Sequence, residues 1–474
     1  MGARPRTRRA SRRPVLPPRL WTLIVARCVN RVGGFSMAFL GVLLVRELGA
    51  DAGETALVLT CFGVATIPSR ILGGHLADSW GHRSTMLLGL VGCAAAQLVI
   101  AASPTISGTL IGAVLLGLAY EIVEPPTQAL VTDLVPERDR AFAYSALNAS
   151  LAVAGILAGL LAAAVSGLGL RWLFVVDAAT CLACASLVAT HVPGAPTERG
   201  RAVDRSAGRA PGPTSPRTRW VGALTDRRLR PVVAFGTVIA TVTMVVVLGV
   251  PLLVEQRGLA PTTTGWVLAV GAAASVAGAW LAAALRRRTD DHRVLLVGEV
   301  SAAVGLGVIA LAGQPVGLAA GLVAFDIGSL LVIATTMARA GTLAPDSARG
   351  TYLAVLGLTW GLATSVAPVI LTTLGTTYGP GAPFGCAALA LLAAAALRAA
   401  RGGAPLNPGP HVRVGTALDL RKPARDRRGR LRHARPAGWA PDRCPPRGTQ
   451  RPRLRRRTSL GGRPPAYDRD GSTT

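Results

Sequence analysis

Gly73-Gly74-His75-Leu76-Ala77-Asp78-Ser79-Trp80-Gly81-His82-Arg83 separates two apolar runs, Thr55–Leu72 and Ser84–Ala102. Each run is near the ~20 residues an α-helix needs to cross a hydrocarbon core. So short a connector makes them two membrane helices that turn straight back on each other. Gly74, Gly81 and the small Ala77 suit this, because a missing or minimal side chain permits close backbone approach. Asp78 sits where a helix end or an arginine neutralises it.

Gly74-x-Leu76-Ala77-Asp78-x-x-Gly81-x-Arg83 resembles the loop signature between helices 2 and 3 of the major facilitator superfamily. Two positions depart from it: Ser79 stands where the family often has a base, and His82 where it often has arginine. The other reading of the stretch is a generic glycine hairpin between two spans.

Composition points the same way. Half of the 474 residues are hydrophobic, 16% are charged, and mean hydropathy is +0.44. The charges are segregated: apolar runs fill Leu20–Ala400, while arginines crowd the two ends and one central stretch. This is the pattern of a polytopic helical membrane protein. The net charge of +27 lies on Met1–Arg19, His191–Arg230 and Arg401–Asp470. No soluble domain presents it as a face, so a nucleic-acid partner is not expected; anionic lipid accounts for the same charge. The only lysine, Lys422, precedes Pro423, which excludes a phosphate-binding G-x-x-x-x-G-K-[ST] loop. Transport driven by this chain's own P-loop is thereby ruled out, leaving ion gradients, solute gradients or a partner ATPase. Six of the seven cysteines fall inside apolar runs, and Cys181-x-x-Cys184 has no histidine nearby. We expect neither a disulfide framework nor a metal site, nor any cofactor.

Working outward gives twelve spans: Leu20–Val45, Thr55–Leu72, Ser84–Ala102, Ser107–Val131, Ala141–Ser166 and Trp172–Thr190, then Val232–Val254, Gly265–Leu285, Val294–Ala312, Val316–Ala338, Thr351–Leu374 and Pro383–Ala400. The implied organisation is a basic N-terminus (1–19), a six-helix bundle (20–190), a linker (191–230), a second six-helix bundle (231–400) and a basic tail (401–474). The linker and tail are rich in Pro, Gly and Arg and read as flexible or disordered. Ser11-Arg12-Arg13 resembles the start of a twin-arginine signal, but the apolar run after it leads to further spans, so it reads as an anchor. Leu134-x-Pro136-Glu137-x-x-Arg140 recurs as Leu343-x-Pro345-Asp346-x-x-Arg349, each after the fourth span of a half. That echo is either a chance turn match or a duplicated half. Arginine asymmetry between alternate connectors places both termini in the cytoplasm of a cell-membrane protein.

Ionisable residues inside spans are candidate functional sites. Arg27, Asn30 and Arg31 share a face of span 1. Glu121 and Glu124, three residues apart in span 4, precede Pro125-Pro126, and a break is expected just after Glu124. Arg31 is expected to face a central cavity and pair with Glu121 or Glu124, with Arg27 snorkelling to the interface. Re-pairing between inward- and outward-open states would let the carboxylate exchange a proton; a fixed buried salt bridge is the other reading. Asp326 is the corresponding candidate in the second half. Asp177 and Glu299 are placed nearer the interfaces, in contact with water.

The resemblance implies more. It gives an all-α fold of twelve helices in two pseudo-symmetric bundles, with a cavity between them. It implies a gating group of Gly74, Asp78, Gly81, Arg83 and Asp133, in which Asp78 meets the N-terminal end of span 11 and Arg83 pairs with Asp133. Gly155-Ile156-x-x-Gly159 is similar to a span-5 exporter signature, with Ile156 where proline is usual; a small-residue packing face is the alternative. The family's span-4 arginine is absent. The expected function is proton-coupled export of a small amphipathic compound by a monomeric, non-enzymatic carrier whose partners are its substrate, protons and lipid. An uptake permease for a small polar solute, or a non-transporting sensor or scaffold, stands as the alternative.

Overall fold

Asp51 opens the second span with a capping box: its carboxylate accepts from the Glu54 N–H at 2.8 Å, and Glu54 accepts from the Asp51 N–H at 3.0 Å. From there the chain is helix after helix. The computed structural model describes residues 16–136, 139–192, 216–285, 288–344 and 349–400. The first half comprises α1 (Pro18–Gly33), α2 (Ser36–Leu48), α3 (Ala52–Trp80), α4 (His82–Ala102), α5 (Ile106–Tyr120), α6 (Glu124–Leu134), α7 (Arg140–Ser166) and α8 (Leu170–His191). A linker helix, α9 (Pro216–Thr225), leads to α10 (Arg230–Gln256), α11 (Pro261–Leu285), α12 (Asp291–Leu311), α13 (Pro315–Leu343), α14 (Arg349–Tyr378) and α15 (Ala382–Ala400). Among the described residues twelve spans are long and apolar enough to cross a membrane, with α1–α2 and α5–α6 each forming one of them.

Two spans are broken, for different reasons. The run read as one helix over Leu20–Val45 is divided at Gly33-Gly34-Phe35. There the Gly34 N–H turns back to the Arg31 carbonyl at 3.1 Å and that of Phe35 to Gly33 at 2.7 Å. Gly33 packs directly on Thr180 of α8, where a Cβ would collide with the hydroxyl. In the fourth span a 3₁₀ turn, Glu121–Val123, precedes α6. The break therefore falls one turn earlier than the prolines suggest. Pro125 and Pro126 occupy the first turn of α6, where backbone N–H groups lack intrahelical partners anyway.

Successive spans alternate in direction. The connectors after α3, α6, α8, α11 and α13 therefore share one face with the linker, here called the linker face; the opposite side is the far face. Gly81, at φ +84°, makes the tight turn between α3 and α4 on the linker face. Each half has its own apolar core. Phe39, Phe62 and Phe174 anchor the first, and Phe325 and Phe384 the second. Glu299 is fully buried in the second core, where Arg398 of α15 donates to both its oxygens. This corrects the expectation of a solvated carboxylate: the partner lies three spans on and is invisible in local sequence.

The halves touch along α3–α14, α7–α11 and α2–α10. Gly63 lies against the backbone of Thr364 and Ser365, Gly159 against Ala269, and Gly265 against Ala163. Gly155 and Gly159 thus serve as a small-residue packing face. All of these contacts lie toward the far face, where Arg46 also reaches Glu255 at 3.4 Å. Toward the linker face α7 and α11 part, and Asn148, Ala149 and Trp280 are exposed between them. The N-terminal 15 residues, most of the linker, Pro345-Asp346 and the 401–474 tail lie outside the described residues, and with them the readings of disorder and of the repeated turn.

Candidate functional site

A cavity of about 910 Å³ fills the space where the halves part. Its two walls differ in chemistry. The first half contributes Arg27, Asn30, Arg31, Arg70, Gln97, Glu121, Glu124 and Asp177; the second contributes Met244, Val276, Ala279, Trp280, Leu330 and Trp360. Every charged residue of the lining comes from the first half, beside apolar residues such as Phe62 and Leu90, whereas the second half lines the cavity with uncharged residues, Trp280 and Trp360 among them.

The charged wall is ordered by ion pairs across helices. Arg27 of α1 donates to Glu124 at 2.9 Å and to Asn30 Oδ1 at 3.1 Å, while Gln128 donates to the other oxygen of Glu124 at 3.0 Å. Arg70 of α3 lies 3.4 Å from Glu121. The same Arg70 nitrogen donates to the Gly357 carbonyl of α14 at 3.0 Å, crossing from one half to the other. At the 3₁₀ turn the Glu121 N–H also donates to Ser69 at 3.1 Å.

Glu121, Glu124 and Arg31 therefore do share the cavity, but the pairing differs from expectation. Arg31 is exposed to the cavity and forms no ion pair among the described residues. Arg27, expected to snorkel, is instead the partner of Glu124. Asp326 does not line the cavity: its carboxylate faces Gly271 of α11, inside the second half.

In the gating group, Asp78 is exposed and makes no hydrogen bond or ion pair among the described residues. Asp133 is met at 3.4 Å by His82 rather than Arg83, and Arg83 donates to the Ala189 carbonyl of α8. Gly74 has open space around it.

Sequence reasoning missed Arg70, Gln97 and the two tryptophans, and it misplaced Asp177. Asp177 is 3% exposed at the cavity wall. Ser36, the first residue of α2, donates to one of its oxygens, and Cys181 to the other at 3.7 Å. Asn30 donates to the Cys181 sulfur at 3.3 Å. A signal was present: Asp177, Cys181 and Cys184 recur at helical spacing on one face of span 6. Among the described residues no three His, Cys, Asp or Glu side chains are grouped to hold a metal ion.

Known proteins resemble this chain, some over most of its length and others over part of it. The family model described as Major Facilitator Superfamily matches residues 23–368. A chloramphenicol resistance protein of Streptomyces lividans is 30% identical over 376 residues, 77% of this chain and 91% of that one. An uncharacterized MFS-type transporter, YqjV of Bacillus subtilis, is 26% identical over 143 residues, 30% of this chain and only 35% of its own length. Among solved structures, the peptide transporter POT in complex with sulfate superposes with a TM-score of 0.64 at 17% identity, over 81% of this chain and 94% of that one.

Proposed function

Because the chain belongs to the Major Facilitator Superfamily, and is thus a multi-pass membrane carrier and not an enzyme, we propose that it exports a small amphipathic compound in exchange for protons. The observation that carries this reading is the two-faced cavity. A charged wall meets the polar end of a substrate, and Trp280, Trp360 and Met244 take its apolar body. Glu121 and Glu124 are the coupling residues in this scheme, each held by an arginine that can change partner, with Arg31 beside them as a free cation and Asp326 serving the second half. The exchange proceeds by alternating access, the turn around Gly74, Asp78, Gly81, Arg83 and Asp133 resetting the linker face. The protein sits in the cell membrane as a monomer surrounded by lipid, with both termini and the linker face cytoplasmic.

Chloramphenicol is the first probe, given the Streptomyces resemblance. Inside-out vesicles containing the full chain are expected to accumulate it when their lumen is acid, and to stop when a protonophore collapses the gradient. Accumulation unaffected by the protonophore would overturn proton coupling. Accumulation only in right-side-out vesicles would overturn export in favour of uptake. Neutralising Asp78 is expected to slow this flux while insertion stays intact.

A further inference from the structure

Asp177 is a buried carboxylate in the far-face half of α8, with no cationic partner among the described residues. Arg27 and Arg70 are engaged by Glu124 and Glu121, and no arginine, lysine or histidine pairs with Asp177 among the described residues. The groups that face it are neutral. Ser36 comes from α2, Gln97 and Cys93 from α4, Tyr120 from α5, Cys181 from its own helix, and Asn30 of α1 reaches it through the Cys181 sulfur. An ionised carboxylate held away from water with no counter-ion is costly, and a proton removes that cost.

The surroundings fit both forms. Ionised, Asp177 accepts from Ser36 and Cys181, with the Gln97 side chain beside it. In that arrangement the Gln97 oxygen is buried with no donor, an orphan that buried polar groups rarely tolerate. A proton on Asp177 is the donor it lacks, because a glutamine side chain can turn its oxygen where its nitrogen was.

We propose that Asp177 is the proton-binding site of this carrier, and that Gln97 is its positioning partner, turning over as the proton comes and goes. The location gives the proton leverage. Ser36 begins α2 immediately after the break in span 1, and Gly33 packs on Thr180, one turn along α8 from Asp177. A change at Asp177 is therefore felt at the joint that aims Arg27, Asn30 and Arg31 into the cavity. Glu121 and Glu124 keep their arginine partners in this scheme. The inference rests on the proton-coupled reading above, and it replaces the two glutamates and Asp326 as the group that takes up the proton.

The test needs no substrate. Infrared difference spectra between acid and alkaline buffer, taken on the full chain in liposomes, are expected to contain a protonated-carboxyl band. That band should vanish in Asp177→Asn, persist in Asp326→Asn, Glu121→Gln and Glu124→Gln, and shift to higher frequency in Gln97→Leu, where the acid O–H loses its acceptor. Should Asp177→Asn fold poorly, Asp177→Glu is expected to keep a displaced carboxyl band, so the assignment is still decided. A band that survives Asp177→Asn, or disappears in Asp326→Asn, Glu121→Gln or Glu124→Gln, overturns the proposal. The protonophore experiment with chloramphenicol is read separately. Its failure sinks the exchange reading, whereas a misplaced band sinks Asp177 alone.

Discussion

Glu299 has no exposed surface, and Arg398 meets it at 2.7 Å while also lying 4.6 Å from the ring centre of Phe235. Breaking such a pair from one side leaves an uncompensated buried charge, typically about 3–5 kcal/mol, whereas replacing both members by apolar groups is often nearly neutral. We therefore expect Arg398→Ala to lower the thermal midpoint of the detergent-solubilised protein sharply, and Glu299→Leu with Arg398→Met to recover most of the loss. Equal destabilisation in single and double variants would contradict this. The same residues show why charges in spans are hard to place from sequence. Depth can be counted along a run, but the partners here lie 99, 97 and 287 residues apart: Arg398 with Glu299, Arg27 with Glu124, and Arg70 with Gly357. Arg70 went unnoticed because it sits near the end of an apolar run, where an arginine ordinarily reaches for water.

At the scale of elements, the spans themselves were legible, because apolar runs near 20 residues have few alternatives in a chain this poor in charge. The joints were less so. Pro125-Pro126 announced the break in span 4, while Gly33-Gly34 was hidden inside an unbroken apolar run. Glycine permits a break without compelling one; what the structure adds is that Thr180 leaves no room for a Cβ at position 33. Another joint lies outside the membrane. Between α9 and α10, Asp226 accepts from the Arg228 N–H at 2.8 Å and from the Tyr352 hydroxyl of α14 at 2.7 Å. Burial alone pushes the Asp226 carboxyl up, but these hydrogen bonds outweigh it and hold the group below its ordinary range. Burial, with Asp226 beside it, pushes the Tyr352 hydroxyl up to about 12. The sign follows from the depressed carboxyl: its contribution is full above the ordinary aspartate range, about pH 4, and fades as pH falls through the lower folded value. Thermal stability followed downward from pH 5 should thus fall more steeply in the parent than in Tyr352→Phe, which has already lost the contact. Parallel curves would show that the contact carries no pH dependence.

For the whole molecule, what matters is where the halves touch and where they part. Gly63, Gly159 and Gly265 bring backbones together toward the far face, and the cavity opens toward the linker face. Alternation requires these contacts to separate, so each must be weak enough to break. The Arg46–Glu255 pair is of that kind, since Arg46 is 47% exposed and the separation is 3.4 Å. Exposed pairs contribute about 0–1 kcal/mol, and 1 kcal/mol shifts a two-state equilibrium by roughly fivefold at 25 °C. Reversing the charge in Arg46→Glu turns attraction into repulsion at the rim of the far face. Labels on α2 and α10 should then report a larger far-face-open population, by up to about fivefold from the lost pair alone. Adding Glu255→Arg restores the attraction and should return the distance distribution to that of the parent. By contrast, Gly63→Leu wedges a side chain against the Thr364–Ser365 backbone and has no complementary change to rescue it. If Arg46→Glu left the distribution unmoved while Gly63→Leu opened the far face, closure there would rest on backbone packing alone, and the charge pair would be a bystander.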